Sequence, residues 1–222
     1  MRAGAVREVP LRKSACAFTI VDLFIVLAIL AILAFVILPA LMRSRARPSR
    51  IGCANCLKQV SLAFRTWAID NDDRFPMQVS VTNGGTLEQI GSGLVFPHFQ
   101  VVSNELGTPR ILWCPNEESR TCPTNFTSGL TDKNISYFLN VDAVPDDGSS
   151  MLCGDRNLTN QAAGNAGFVA VGNGTRIGWT REIHSRSGYI AFGDGRVEGV
   201  RNGDPRTVVR TAEGGSNRLA IP

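Results

Sequence analysis

The sequence predicts an α+β chain. A long N-terminal membrane-spanning helix should continue as an amphipathic helix packed on a small antiparallel β-sheet head. Three observations carry this expectation. An apolar run fills residues 18–41, a helix-period stripe follows it, and from about residue 75 short apolar pieces alternate with turn residues. The implied divisions are a basic leader at 1–17, a transmembrane and assembly helix at 18–41, an amphipathic continuation at 42–74 and a β-rich head at 75–222.

The run at 18–41 reads FTIVDLFIVLAILAILAFVILPAL, with Asp22 its only charge. As a helix it would extend about 36 Å at ~1.5 Å per residue. That exceeds the roughly 30 Å of bilayer hydrocarbon. It is also longer than the apolar core of about 7–15 residues in a cleaved signal peptide, and no small-x-small site follows it. Ser14-Ala15-Cys16 superficially suggests a lipoprotein site, but the apolar run lies on the wrong side of the cysteine. A carboxylate at Asp22 is costly in such a run unless it lies at headgroup depth or meets a cation in an assembly.

Apolar residues then recur at Cys53, Leu57, Val60, Phe64 and Trp67, in steps of 4, 3, 4 and 3. That spacing lines one face of a helix, with Lys58, Gln59 and Arg65 opposite. The helix should stop near Asp70-Asn71-Asp72-Asp73. Strands are expected at 110–114, 135–141, 150–152, 167–171, 188–192 and 197–201, with Gly193-Asp194-Gly195 as a hairpin turn between the last two. Gly214-Gly215-Ser216 reads as a frayed tail.

The formal charge is +4, and Arg2, Arg7, Arg12 and Lys13 in the leader supply most of it. The body is nearly neutral, so no nucleic-acid partner is expected. Arg43, Arg45, Arg47 and Arg50 form the one internal basic cluster and read as juxtamembrane. Basic residues balance across the apolar run, so charge alone leaves orientation open.

Of the six cysteines, Cys53-x2-Cys56 invites a zinc reading, but Cys114-x7-Cys122 is too wide to supply a ribbon's second pair. Neither metal nor cofactor is expected on these grounds. Disulfides are the natural use of cysteines in an extracytoplasmic head, and Cys53 with Cys114 is the favoured pair. Their loop of about 60 residues would contribute around 4 kcal/mol. His184 with Asp194 and a serine lacks the nucleophile elbow of a hydrolase, so a hydrogen bond across or near the hairpin base is expected for His184. Asp70, Asp72 and Asp73 lack the Gly and distal Glu of a calcium loop and read as a solvated helix end.

Ala17-Phe18-Thr19-Ile20-Val21-Asp22-Leu23 resembles the type IV prepilin cleavage motif, with Ala17 for the usual Gly and Asp22 for the usual Glu. His184 and Asp194-Gly195, nine residues apart, are similar to the His-x9-Asp-Gly (processing-associated) signature of pilin-like proteins in planctomycete- and verrucomicrobia-type bacteria. Cys53-x2-Cys56 and Trp113-Cys114-Pro115 fit the same family. The resemblance implies a pilin-like lollipop, a type II secretion pseudopilin or type IV pilus-like fibre subunit, without enzymatic activity. It implies cleavage before Phe18 by prepilin peptidase, methylation of the new amino group, and an assembly role for Asp22. Pro39 is where pilin helices often kink. The implied partners are the peptidase, other pseudopilins and further copies, the inner membrane and the secretion assembly platform, with the head extracytoplasmic or periplasmic. The competing expectation is a binding module or enzyme on a pilin-type anchor, which needs a convergent polar pocket.

Overall fold

The computed structural model describes residues 20–44, 46–159, 168–209 and 216–222. The chain divides into two units, Met1–Arg45 and Ala46–Pro222.

The first unit holds helix α1, Ile20–Ser44. Leu, Ile, Phe and Ala dominate it, and Asp22 lies in its first turn, where the helix dipole favours a carboxylate. Side chains are described at 20–35 and at 37, and all are exposed within the chain. Pro39 lies in helical backbone, but its side chain falls outside the described ones.

The membrane-spanning helix is corrected. Among the described residues no helix is long and apolar enough to cross a membrane. The single long helix of the lollipop is replaced by two shorter ones that fall in different units. The expectations of a single pass, an inner-membrane location and an extracytoplasmic head rested on that helix and fall with it.

The second unit begins with helix α2, Ala46–Ile69. Its stripe is buried as the spacing predicts: Cys53, Leu57, Val60, Phe64 and Trp67 all lie in the core. Lys58 and Gln59 stay exposed. The helix stops because Asp72 and Asp73 take left-handed φ of 57° and 52°. Asn71 Nδ2 donates to the Trp67 carbonyl at 2.8 Å, satisfying one of the last orphan acceptors.

Residues 76–112 form short 3-10 turns and two short helices, α3 (Phe96–Val101) and α4 (Ser103–Leu106). The strand expected at 110–114 is instead a 3-10 turn, Pro109–Leu112. Pro109 opens it with the fixed φ of a first helical residue and lacks the N–H a ladder needs. These segments wall in α2: Phe64 meets Phe75 and Phe99 edge-to-face, with centroids 6.1 and 5.7 Å apart.

Six strands follow: β1 (Tyr137–Asn140), β2 (Met151–Asp155), β3 (Phe168–Gly172), β4 (Ser187–Phe192), β5 (Val197–Arg201) and β6 (Ser216–Ala220). They form one antiparallel sheet in the order β3-β6-β1-β2-β4-β5. Ser216, the last residue of the stretch expected to fray, opens β6, which lies between β3 and β1. Side chains alternate between two cores, as a period of two demands. Tyr137, Leu139, Ala191 and Ala220 join the α2 core. Phe138, Ile190 and Leu219 join a second core with Trp179 on the opposite face. A register shift between Met151 and Cys153 bulges β2, so Leu152 and Cys153 both enter the α2 core. At Gly154 a Cβ would lie 2.7 Å from the Tyr189 carbonyl and 2.8 Å from the Phe138 ring, so only glycine fits.

Candidate metal centre

Four segments bring four donor side chains to one buried point. Cys53 comes from the first half of α2 and Asp155 from the end of β2. Cys114 sits in a turn closed by the Glu117 N–H donating to the Cys114 carbonyl at 2.8 Å, with Pro115 supplying the fixed φ of its second position. The Cys114 N–H donates to Ser136 Oγ at 3.0 Å, which ties the turn to the approach of β1. His184 precedes β4, and the next two residues, Ser185 and Arg186, take left-handed φ of 53° and 64°. Two consecutive non-glycine residues in that region are strained, and such strain clusters at functional sites. The turn is held by Arg186 N–H on the Thr180 carbonyl at 3.0 Å and Ser187 Oγ–H on the His184 carbonyl at 2.5 Å.

The donor atoms of Cys53, Cys114, Asp155 and His184 all lie within 4.8 Å of one another, and all four residues are buried. Cys53 Sγ is 3.4 Å from Asp155 Oδ1, and Cys114 Sγ is 3.4 Å from His184 Nε2. His184 Nε2 is 3.6 Å from Asp155 Oδ2. Asp155 Oδ2 also accepts the Tyr189 N–H at 2.8 Å, and Tyr137 Oη lies 3.6 Å from Cys53 Sγ. The Asn116 amide reaches His184 Nδ1 at 3.4 Å and donates to the Ile183 carbonyl at 3.2 Å. The Tyr189 ring packs edge-on against the imidazole.

A second layer locks the three donors outside α2. Arg156, next to Asp155, makes a bidentate pair with Glu117 at 2.9 and 3.0 Å. The same guanidinium reaches Glu182 at 2.6 Å and Ser119 Oγ at 2.7 Å. Glu117 follows Cys114 closely, and Glu182 just precedes His184. One cation therefore ties three donor-bearing segments together.

Packing so many acids in one dry site perturbs them all. The contact with Cys114 and burial push the Cys53 thiol far above the usual range. The same contact pulls Cys114 down to about 6 against burial, with help from His184. Burial pushes the Asp155 carboxyl up to about 7 against the pull of the His184 ring. Burial opposes charge on His184, but its contacts with Cys114 and Asp155 outweigh that and hold it above its ordinary value.

The arrangement differs from a nucleophile–histidine–acid triad. In a triad the acid holds the ring nitrogen opposite the nucleophile. Here Cys114 and Asp155 both address Nε2. The four donors converge on one point, which is the geometry of coordination.

The structure joins His184 to Cys53 and Cys114, which the sequence singled out as a pair. Cys53 and Cys114, the favoured disulfide pair, both lie in the cluster as free cysteines. His184, expected to bond across the hairpin or near its base, lies just before β4 and addresses Cys114 and Asp155. Asp155 was not anticipated; an acid closing the apolar piece Met-Leu-Cys-Gly-Asp is the signal that could have marked it. Asp194 and Gly195 lie apart from the cluster, in the β4–β5 turn. The Asp194 carbonyl accepts Arg65 Nη1 at 2.8 Å, its Oδ1 accepts the Arg196 N–H at 2.9 Å, and Gly195 takes φ +87°. Cys56 is half-buried and Cys122 exposed, both outside the cluster. Ala17 and Phe18 lie outside the described residues. No protein-family model, curated protein or solved structure matches the chain.

Proposed function

We propose that this chain is a structural subunit of a pilus-like or pseudopilus fibre and works by assembly, not catalysis. The observation that carries this reading is α1. Apart from Asp22, its described side chains are apolar around the helix, and the large ones are exposed within the chain, from 45% at Val26 to 84% at Phe35. A helix apolar on every face needs neighbours on every face. Burying each large side chain contributes roughly 1.5–3 kcal/mol, so α1 helices of further copies gain more from packing together than from remaining apart.

The cleavage-type motif around Phe18 and the His184–Asp194-Gly195 spacing support the same reading by resemblance. In such a fibre Asp22 meets the cationic α-amino group of Phe18 on a neighbouring copy, after cleavage by a prepilin peptidase. Breaking a withdrawn charge pair by removing one member typically costs about 3–5 kcal/mol.

The test compares wild type, Asp22→Ala and Asp22→Glu by recovery in sheared fibres, together with the intact mass of the mature chain. The expected result is a chain beginning at Phe18, found in fibres for wild type and Asp22→Glu and lost from them for Asp22→Ala. Equal fibre recovery for Asp22→Ala would remove the charge from the assembly mechanism. Absence of the wild-type chain from any fibre would overturn the proposal.

A further inference from the structure

We propose that Cys53, Cys114, Asp155 and His184 bind one zinc-class divalent ion, which clips α2 to the sheet as a structural site. Two thiolates, an imidazole and a carboxylate form a borderline-soft donor set. That set suits zinc and disfavours calcium or magnesium, which want oxygen ligands only.

The spacing fits the same ion. Zinc bonds of about 2.3 Å to sulfur and about 2.0–2.2 Å to nitrogen or oxygen place tetrahedral donors roughly 3.4–3.8 Å apart. Three contacts lie at that spacing: 3.4 Å from Cys53 Sγ to Asp155 Oδ1, 3.4 Å from Cys114 Sγ to His184 Nε2 and 3.6 Å from His184 Nε2 to Asp155 Oδ2. With one donor atom per residue, all four lie within 4.8 Å of one another, so the set is gathered near the size of a zinc site and closes inward on binding.

Burial distinguishes the kind of site. Cys53, Cys114 and Asp155 are 0% exposed and His184 is 1% exposed. Four buried protein donors describe a closed structural centre, whereas a catalytic zinc keeps one position open. The outer layer is also that of a metal centre. Asp155 is fixed by the Tyr189 N–H, and the Arg156–Glu117–Glu182 network holds the donor-bearing segments. The Asn116 amide can turn to present its oxygen to the Nδ1–H of a histidine ligating through Nε2.

Ligation needs both sulfurs as thiolates, Asp155 as the carboxylate and His184 with a free Nε2 lone pair, so whatever protons these four donors carry pass to solvent on binding; no electrons move. A Cys53–Cys114 disulfide would use the same two sulfur atoms and exclude the ion.

The experiment uses the full chain, purified with reductant. Zinc content is measured by elemental analysis, and cobalt(II) is titrated as a spectroscopic stand-in. The expected result is about one zinc per chain and a cobalt spectrum with tetrahedral d–d bands and thiolate-to-metal charge transfer. Cys114→Ser and His184→Gln should lose the ion, Asp155→Asn should weaken binding at least tenfold, and Cys56→Ser and Cys122→Ser should retain it. Asp155→Asn preserves shape, and the wild-type cobalt spectrum needs no variant to fold. No metal uptake by folded, reduced chain would overturn the proposal. So would a Cys53–Cys114 disulfide found by peptide mapping of metal-free native protein, or a metal that survives both Cys114→Ser and Asp155→Asn.

Discussion

The Arg156 guanidinium grips the Glu117 carboxylate with two nitrogen–oxygen contacts, at 2.9 and 3.0 Å, where the Glu117 side chain has no solvent exposure at all. Burial alone would raise the Glu117 carboxyl, yet the bonds from Arg156 and Ser119 hold it below the usual range. The pair therefore stays ionised in a dry environment.

Replacing Arg156 by Met leaves Glu117 buried without its cation. The expected loss is about 3–5 kcal/mol of unfolding free energy, measured by urea denaturation. Replacing Arg156 and Glu117 together by Met and Leu should recover most of it, because no fully buried charge is left behind and Glu182, the other acid on Arg156, is exposed to solvent. A single variant as stable as wild type would mean that the pair contributes nothing.

His98 supplies a pH prediction separate from the cluster. It is fully buried, its Nδ1 bonds Thr86 Oγ1 at 2.7 Å, and its Nε2 has no partner among the described residues. Burial lowers it from 6.5 to about 4. The folded chain thus refuses a proton that the unfolded chain accepts, so stability is full above about pH 6.5 and falls as pH drops towards 4. The loss should approach about 3 kcal/mol. In His98→Gln the denaturation midpoint should vary less over that window than in wild type; parallel pH profiles would refute the assignment.

Gly154 is the residue whose enlargement should reach the cluster. An alanine Cβ there meets the Tyr189 carbonyl and the Phe138 ring at under 3 Å. Overpacking of this kind costs about 1–3 kcal/mol. Asp155 is the next residue, so Gly154→Ala should also slow or weaken cobalt uptake. Unchanged stability with unchanged uptake would show that β2 can yield freely.

The α2 stripe was legible because every fourth or third residue must face one core, and that spacing survives in the sequence. Five strands were legible from apolar pieces between turns, and the β4–β5 hairpin formed where Gly193-Asp194-Gly195 foretold it. Residues 110–114 misled because Ile-Leu-Trp has strand propensity, which Pro109 overrides. β6 was hidden because Ser-Asn-Arg-Leu-Ala alternates only weakly, and its partners lie far back in the chain. The apolar run of α1 spoke for its composition but did not establish a membrane crossing. The cluster was invisible for another reason. Cys53 and Asp155 are 102 positions apart and Cys114 and His184 are 70 apart, so no local spacing announces them. The zinc reading examined Cys53-x2-Cys56, which shares one residue with the donor set.

The sheet order also sets a sequence in time. β6 is synthesised last of the six strands, yet it fills the slot between β3 and β1. Until residues 216–220 have left the ribosome, β1 keeps one open edge and β3 has no strand to pair with. Earlier parts can gather around α2, but the sheet cannot close behind them, and exposed strand edges invite pairing between nascent chains. A nascent chain stalled before Ser216 should therefore be cut by protease within β1 and β3, where the released chain resists. Equal resistance in the stalled chain would mean that the sheet closes without its final strand. On this account β6 acts as a delayed key, withholding the finished head until translation has passed it.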